Sequence, residues 1–134
     1  MQEIAFYSND VLQKVFEREF SKDEAVIYGN TDIGHKILKY KPELNLRDMA
    51  LGMMLCHQST FYRLDKAIKY SLKYKICADQ DFTMQYFKLG KKSKYLDMTI
   101  SKYESDWYII TKRLNKILKE KFQISKSYNL HICP

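Results

Sequence analysis

The stretch Leu44–Tyr70 reads LNLRDMALGMMLCHQSTFYRLDKAIKY, and its periodicity decides the fold expected of the whole chain. Asn45 is a capping residue type, and the apolar residues after it predict a helix from Leu46 to about Met54. After a short break, Phe61, Leu64, Ile68 and Leu72 keep one face apolar, predicting a second helix from His57 or Gln58 to Ile76. Two helices joined by a few residues, the second opening on small hydroxyl side chains, have the layout of a helix-turn-helix. Met49, Met53 and Leu55 would form a wedge of core with Phe61, Leu64 and Ile68, fixing the angle between them.

On the second helix the outward positions are Gln58, Ser59, Tyr62, Arg63, Lys66, Lys69 and Lys73. Gln58 is suited to a bidentate pair with adenine and Arg63 to guanine. Ser59 and Thr60 can donate to phosphates or bases, and the lysines can neutralise the DNA backbone. Lys91, Lys92 and Lys94 make a basic loop that would grip phosphates if it lay beside this helix.

Outward from this centre, the remaining segments also favour helices. Val11, Leu12, Val15, Phe16 and Phe20 follow the capping types Ser8 and Asn9 at helical spacing, with an acidic outer face. The run Ala25–Tyr28 is short and partly β-branched, so it reads as a strand or a buried connection. Asp32 to about Tyr40 reads as a helix closed by Pro42, and Asp79 to Leu89 as a short helix ending at Gly90. Leu96, Ile100, Tyr103, Trp107, Ile110, Leu114 and Ile117 alternate steps of four and three, a heptad seam predicting an amphipathic helix over 96–122. That seam is either laid against the domain or shared between two copies of the chain. The tail alternates through Tyr128, Leu130 and Ile132, as a strand that could pair with Val26–Tyr28. The fold class expected is therefore mostly α: a single domain over 1–134, a helix-turn-helix region over 31–89, a long C-terminal helix and one short two-stranded pairing.

The chain has 134 residues, 46% of them hydrophobic, with four glycines and two prolines. That leaves little material for a turn-rich sandwich or barrel. A formal charge of +7 and a pI near 9.2 favour an anionic partner, either nucleic acid or an acidic protein surface. Cys56, Cys77 and Cys133 form an odd set without C-x-x-C spacing, which points to a reducing cytoplasm rather than a disulfide framework or zinc knuckle. No apolar run approaches the length of a membrane span, and Met1 to Asp10 lacks an export signal, so no membrane partner is expected. His35, His57 and His131 share no metal spacing, and nothing supplies Cys56 and His57 with an orienting third group. No catalytic residue, metal or cofactor is expected.

The segment Cys56, His57, Gln58, Ser59, Thr60 and Phe61, with its spacing from Leu46 to Thr60, resembles the DNA-binding C-terminal domain of the bacterial chromosomal replication initiator, DnaA. The similarity extends upstream through Ile33–Tyr40 and downstream through Lys66–Tyr86, where Asp79, Asp81, Phe82 and Tyr86 fit the pattern. No G-x-x-x-x-G-K-[ST] loop accompanies it, so the resemblance implies a stand-alone relative of phage or mobile-element type. It implies double-stranded DNA as the partner and a role in transcriptional or replicative control. The rival expectation is a helical module that binds a host protein through the same basic face.

Overall fold

The run EAVIYGNTD forms strand β2, Glu24–Asp32, and the rest of the fold is arranged around it. The computed structural model describes residues 4–50, 55–103 and 107–128. Every residue of β2 from Ala25 to Thr31 is buried, because the strand is covered on both faces and so needs no polar alternation. Along one edge β2 pairs in parallel with β5, Lys92–Tyr103, and β5 in turn pairs antiparallel with β1, Ile4–Phe6. Along its other edge β2 takes two short antiparallel partners: β3, Ile37–Leu38, opposite Thr31 and Asp32, and β4, Thr60–Tyr62, opposite Val26–Tyr28.

Among the described residues four helices cover this mixed sheet. On one face α1, Val11–Phe16, sets Val11 and Val15 against Ile27, Leu96 and Ile100. On the other face lie α2, Leu46–Ala50, α3, Ala78–Lys88, and α4, Trp107–Ser127. There Met49, Met84 and Ile124 pack with Tyr28 and Tyr74, and Ile68 and Tyr86 pack with Ala25 and Val26. Glu120 of α4 ties the layer together. Its carboxylate accepts the backbone N–H groups of Lys75, Ile76 and Cys77 at 2.8–2.9 Å, just before α3 begins.

The parallel pairing of β2 with β5 is irregular at its middle. Tyr28 faces Tyr95 and Asn30 faces Thr99, so β5 carries two extra residues across Gly29. A Cβ at Gly29 would lie 2.7 Å from Ile100 Cγ1 and 2.8 Å from the Met98 carbonyl oxygen. The absence of a side chain there lets the two strands close.

The mostly α expectation is overturned: the protein is mixed α/β. The helix predicted from His57 to Ile76 does not form. His57–Ser59 is a single 3-10 turn, Thr60–Tyr62 is β4, and the chain to Cys77 has no regular structure. Thr60, Phe61 and Tyr62 are β-formers and take the edge of β2. Beyond them Asp65 and Ser71 accept the N–H groups of Ala67 and Lys73, bonds that compete with a helix. Leu64 and Leu72, read as inward, are almost fully exposed. The helix-turn-helix is thus absent as a unit, although Asn45 and Asp48 do form a reciprocal cap on α2.

The helix predicted over Asp32–Tyr40 is the end of β2, a turn with Gly34 at φ 100° and then β3. The helix predicted over 96–122 is split between β5 and α4. Leu96 and Ile100 are buried in the sheet and cannot join a seam with a second copy. Ala25–Tyr28 is a strand, paired with β4 and β5. The tail expected to turn into a strand from Ile124 is helix through Ser127, and both edges of Val26–Tyr28 are taken by β4 and β5, so the pairing expected there does not form. Leu130, His131, Ile132 and Cys133 lie outside the described residues. The helix expected at Asp79–Leu89 is α3, ending at Gly90 with φ 80°.

Candidate functional site

Where β2 ends, the sheet and α3 diverge and enclose a cleft of about 460 Å³. One wall is Thr31, Ile33, Leu38 and Tyr40 from the end of β2 and the β3 region. The opposite wall is Ile76, Cys77, Asp79, Gln80 and Thr83 at the start of α3, and Leu55 to Gln58 closes one side. The carboxyl end of a parallel strand beside a helix N-terminus is where open α/β sheets commonly bind ligands.

Two polar atoms in this cleft are buried and without a hydrogen-bond partner: Nδ1 of His57 and Oε1 of Gln80. The Gln80 side chain is 4% exposed. Its Nε2 donates to the Met49 carbonyl at 3.2 Å, which fixes the amide so that Oε1 has no donor. Leaving such an acceptor unsatisfied costs about 1–3 kcal/mol, so a binding site, where a ligand restores the bond, is a natural place for one.

His57 sits between two tyrosine rings, Tyr62 and Tyr70, with centroids at 5.8 and 6.4 Å. Its Nε2 is 3.3 Å from the Tyr70 hydroxyl and its Nδ1 is 3.8 Å from Asp79 Oδ1. That last distance exceeds hydrogen-bond length, so imidazole and carboxylate keep capacity for a third group. Tyr70 stacks on Phe82 at 4.3 Å, and burial, then the charge of Asp79, pushes its hydroxyl up to about 12. Tyr40 accepts the Cys56 N–H, leaving its own hydroxyl proton to donate. The Cys56 thiol donates to Gln58 Oε1, which leaves the Gln58 amide N–H groups as donors. Burial, then Glu120, pushes the Cys77 thiol up to about 11, which makes it a poor nucleophile.

The residues assigned to DNA contact divide into separate groups. Ser59 is fully buried, bonded to Thr31 and Ser101, and cannot reach a groove. Thr60 donates to the Cys56 carbonyl and Tyr62 shares a hydrogen bond with Thr83 under α3. Gln58 lines the cleft. Arg63, Lys66, Lys69 and Lys73 are exposed on the irregular connection. Arg63 reaches the Ser21 carbonyl, the Lys92 N–H binds the Asp23 carbonyl, and Gln85 brackets the Lys69 backbone. The Lys91 N–H binds the Tyr86 carbonyl, and the Tyr86 hydroxyl donates to the Arg63 carbonyl. Arg63, Lys91 and Lys92 therefore gather around the Asp23 end of β2, away from the cleft, while Lys69 is held by Gln85 of α3 and Lys73 stays with Tyr74.

Sequence reasoning missed Asp79, Gln80 and Tyr70, and set His57 aside. The available signal was Gln80 itself, a polar residue one turn before Met84 on the inward face of α3. Among the described residues no group of three or more His, Cys, Asp or Glu side chains is placed to hold a metal, and no helix is long and apolar enough to cross a membrane. No protein-family model, curated protein or solved structure matches the chain.

Proposed function

We propose that the chain binds a small molecule bearing hydroxyl or amine donors in the cleft at the end of β2. The observation that supports this reading is the convergence there of two buried unpartnered atoms, His57 Nδ1 and Gln80 Oε1, with the Asp79 carboxylate. Gln80 and Asp79 accept from the ligand, Gln58 and Tyr40 donate to it, and Leu38, Leu55 and Ile76 supply an apolar wall. An apolar cleft with a few convergent polar groups is the usual form of a small-molecule site. The Tyr70, His57 and Asp79 series also has the make-up of a proton relay. His57 Nδ1 would take a proton from a ligand hydroxyl held near the Asp79 carboxylate, its Nε2 would pass its own proton to the Tyr70 hydroxyl oxygen, and Tyr70 would release one to solvent. Cys56 and Cys77 are free thiols, in keeping with a reducing cytoplasm.

The test is a thermal-shift screen of polyols, sugars and amines against the wild type and Gln80→Leu. A ligand at 100 times its Kd stabilises by about 2.7 kcal/mol, a readily measured rise in Tm. Gln80→Leu should lose that rise. A ligand that stabilises both proteins equally, or a screen without a hit, would sink the cleft as the site.

A second reading, nucleic-acid binding, is supported by the gathering of Arg63, Lys91 and Lys92 at one end of the sheet, with Lys69 exposed on the connection that Gln85 of α3 holds. Without a recognition helix, such an edge would grip phosphates and read no sequence. Lys69→Ala should then weaken all duplexes alike and lower the salt slope by about one phosphate's worth. Absence of salt-dependent binding in the wild type at low ionic strength would end this reading.

A further inference from the structure

Over Trp107–Ser127 the sequence carries six basic residues, Lys112, Arg113, Lys116, Lys119, Lys121 and Lys126, and one acidic residue, Glu120. Glu120 faces the body of the protein, where three backbone amides hold it. Ile117 and Ile124 also face the core. Leu114, Leu118 and Phe122, at successive steps of four, form one ridge and are 47%, 55% and 50% exposed. An ordinary surface helix keeps such positions polar. Here the apolar arc runs past the core contact into solvent, and Lys119 and Lys126 stand exposed beside it.

We infer that α4 docks the protein on a membrane surface rich in anionic lipid. The helix lies in the interface, with Leu114, Leu118 and Phe122 among the acyl chains and the lysines on phosphate headgroups. Charge complementarity selects this occupant. A second copy seated on this ridge would bring two lysine-rich helices together, each with its one acidic residue, Glu120, turned inward. A nucleic acid would leave the apolar ridge unused. Neither of two clefts among the described residues is lined by Leu114, Leu118 or Phe122, so the ridge suits a fluid surface better than a shaped protein epitope. The lysine stems are long enough to keep their charges at headgroup level while the ridge sinks. This inference is independent of the cleft.

The experiment is cosedimentation of the full chain with phosphatidylcholine vesicles, with and without phosphatidylglycerol, at low and high salt. The chain should sediment with the anionic vesicles, lose most of that binding at high salt, and ignore pure phosphatidylcholine. The variant Leu114→Ser/Leu118→Ser/Phe122→Ser should abolish binding, and its circular dichroism should match the wild type because these side chains are outside the core. Each of Lys119→Gln and Lys126→Gln should weaken binding about fivefold. A Trp107→Phe/Phe122→Trp protein places the sole tryptophan on the ridge, and its emission should shift to the blue on anionic vesicles alone. Failure of the wild type to sediment with anionic vesicles overturns the inference. So does a ridge variant that binds normally, or one whose only change is from dimer to monomer in sedimentation.

Discussion

Replacing Gly29 by Val should leave a chain that does not reach its native fold, and even Gly29→Ala should cost about 3 kcal/mol. The Cβ of alanine would sit 2.7 Å from Ile100 Cγ1 and 2.8 Å from the Met98 carbonyl oxygen. Ile100 is fully buried between β2 and α1 and has nowhere to retreat, and the Met98 carbonyl is backbone of the strand that pairs with β2. Valine adds two methyl groups to the same space, which brings the loss to on the order of 6 kcal/mol, comparable to the whole stability of a small domain. Urea unfolding followed by circular dichroism measures the alanine variant directly. A midpoint within experimental error of the wild type would mean that β5 does not cross Gly29 this closely.

The same irregular crossing explains why the sheet was hard to read from sequence. Leu96 and Ile100 are four apart, a step that returns a side chain to the same face in a strand as well as in a helix. Only the following step of three, to Tyr103, favoured a helix, and the two extra residues of β5 opposite Gly29 remove the strict alternation that would have argued against it. Similarly, β2 is covered on both faces and presents an unbroken buried run, which periodicity does not separate from a buried helix segment. What local chemistry controls was legible: the Asn45 cap, the span of α3 and its stop at Gly90 all formed. Thr60–Tyr62 was misread because its strand depends on a partner thirty-odd residues upstream, which no local period records.

The cleft was less legible than the fold. His57 and Asp79 are separated by the whole irregular connection, and their approach follows from Glu120 holding Lys75–Cys77, a contact with the far end of the chain. The lysines showed the opposite pattern. Arg63, Lys66, Lys69 and Lys73 are exposed as expected, yet without a helix beneath them they form no ridge. Composition identified basic surface and did not identify its geometry.

That dependence makes Glu120→Ala the second large effect. The carboxylate accepts three backbone amides within 2.9 Å, and its removal leaves them to whatever water can reach. A charged acceptor contributes about 1.5–3 kcal/mol per bond when shielded. The half-buried setting of Glu120 reduces that, so the expected loss is about 3 kcal/mol in all. Burial is the largest single influence on this carboxyl and pushes it up, but the amides of Lys75, Cys77 and Ile76 together outweigh it and hold it below the usual carboxylate range. A group depressed in the folded state binds its proton more readily in the unfolded chain. Its contribution is therefore complete above the unfolded value near 4.5, and it is lost as pH falls through the folded one. The wild type should lose stability more steeply than Glu120→Gln as pH falls below the unfolded value near 4.5, because the glutamine keeps an oxygen acceptor and has no proton to bind. Because the Lys75–Cys77 segment leads into Asp79, Glu120→Ala should also weaken any cleft ligand more than it weakens binding to anionic vesicles at equal folded fraction. Denaturant titrations at several pH values measure the first effect, and parallel slopes for wild type and Glu120→Gln would remove Glu120 from the acid transition.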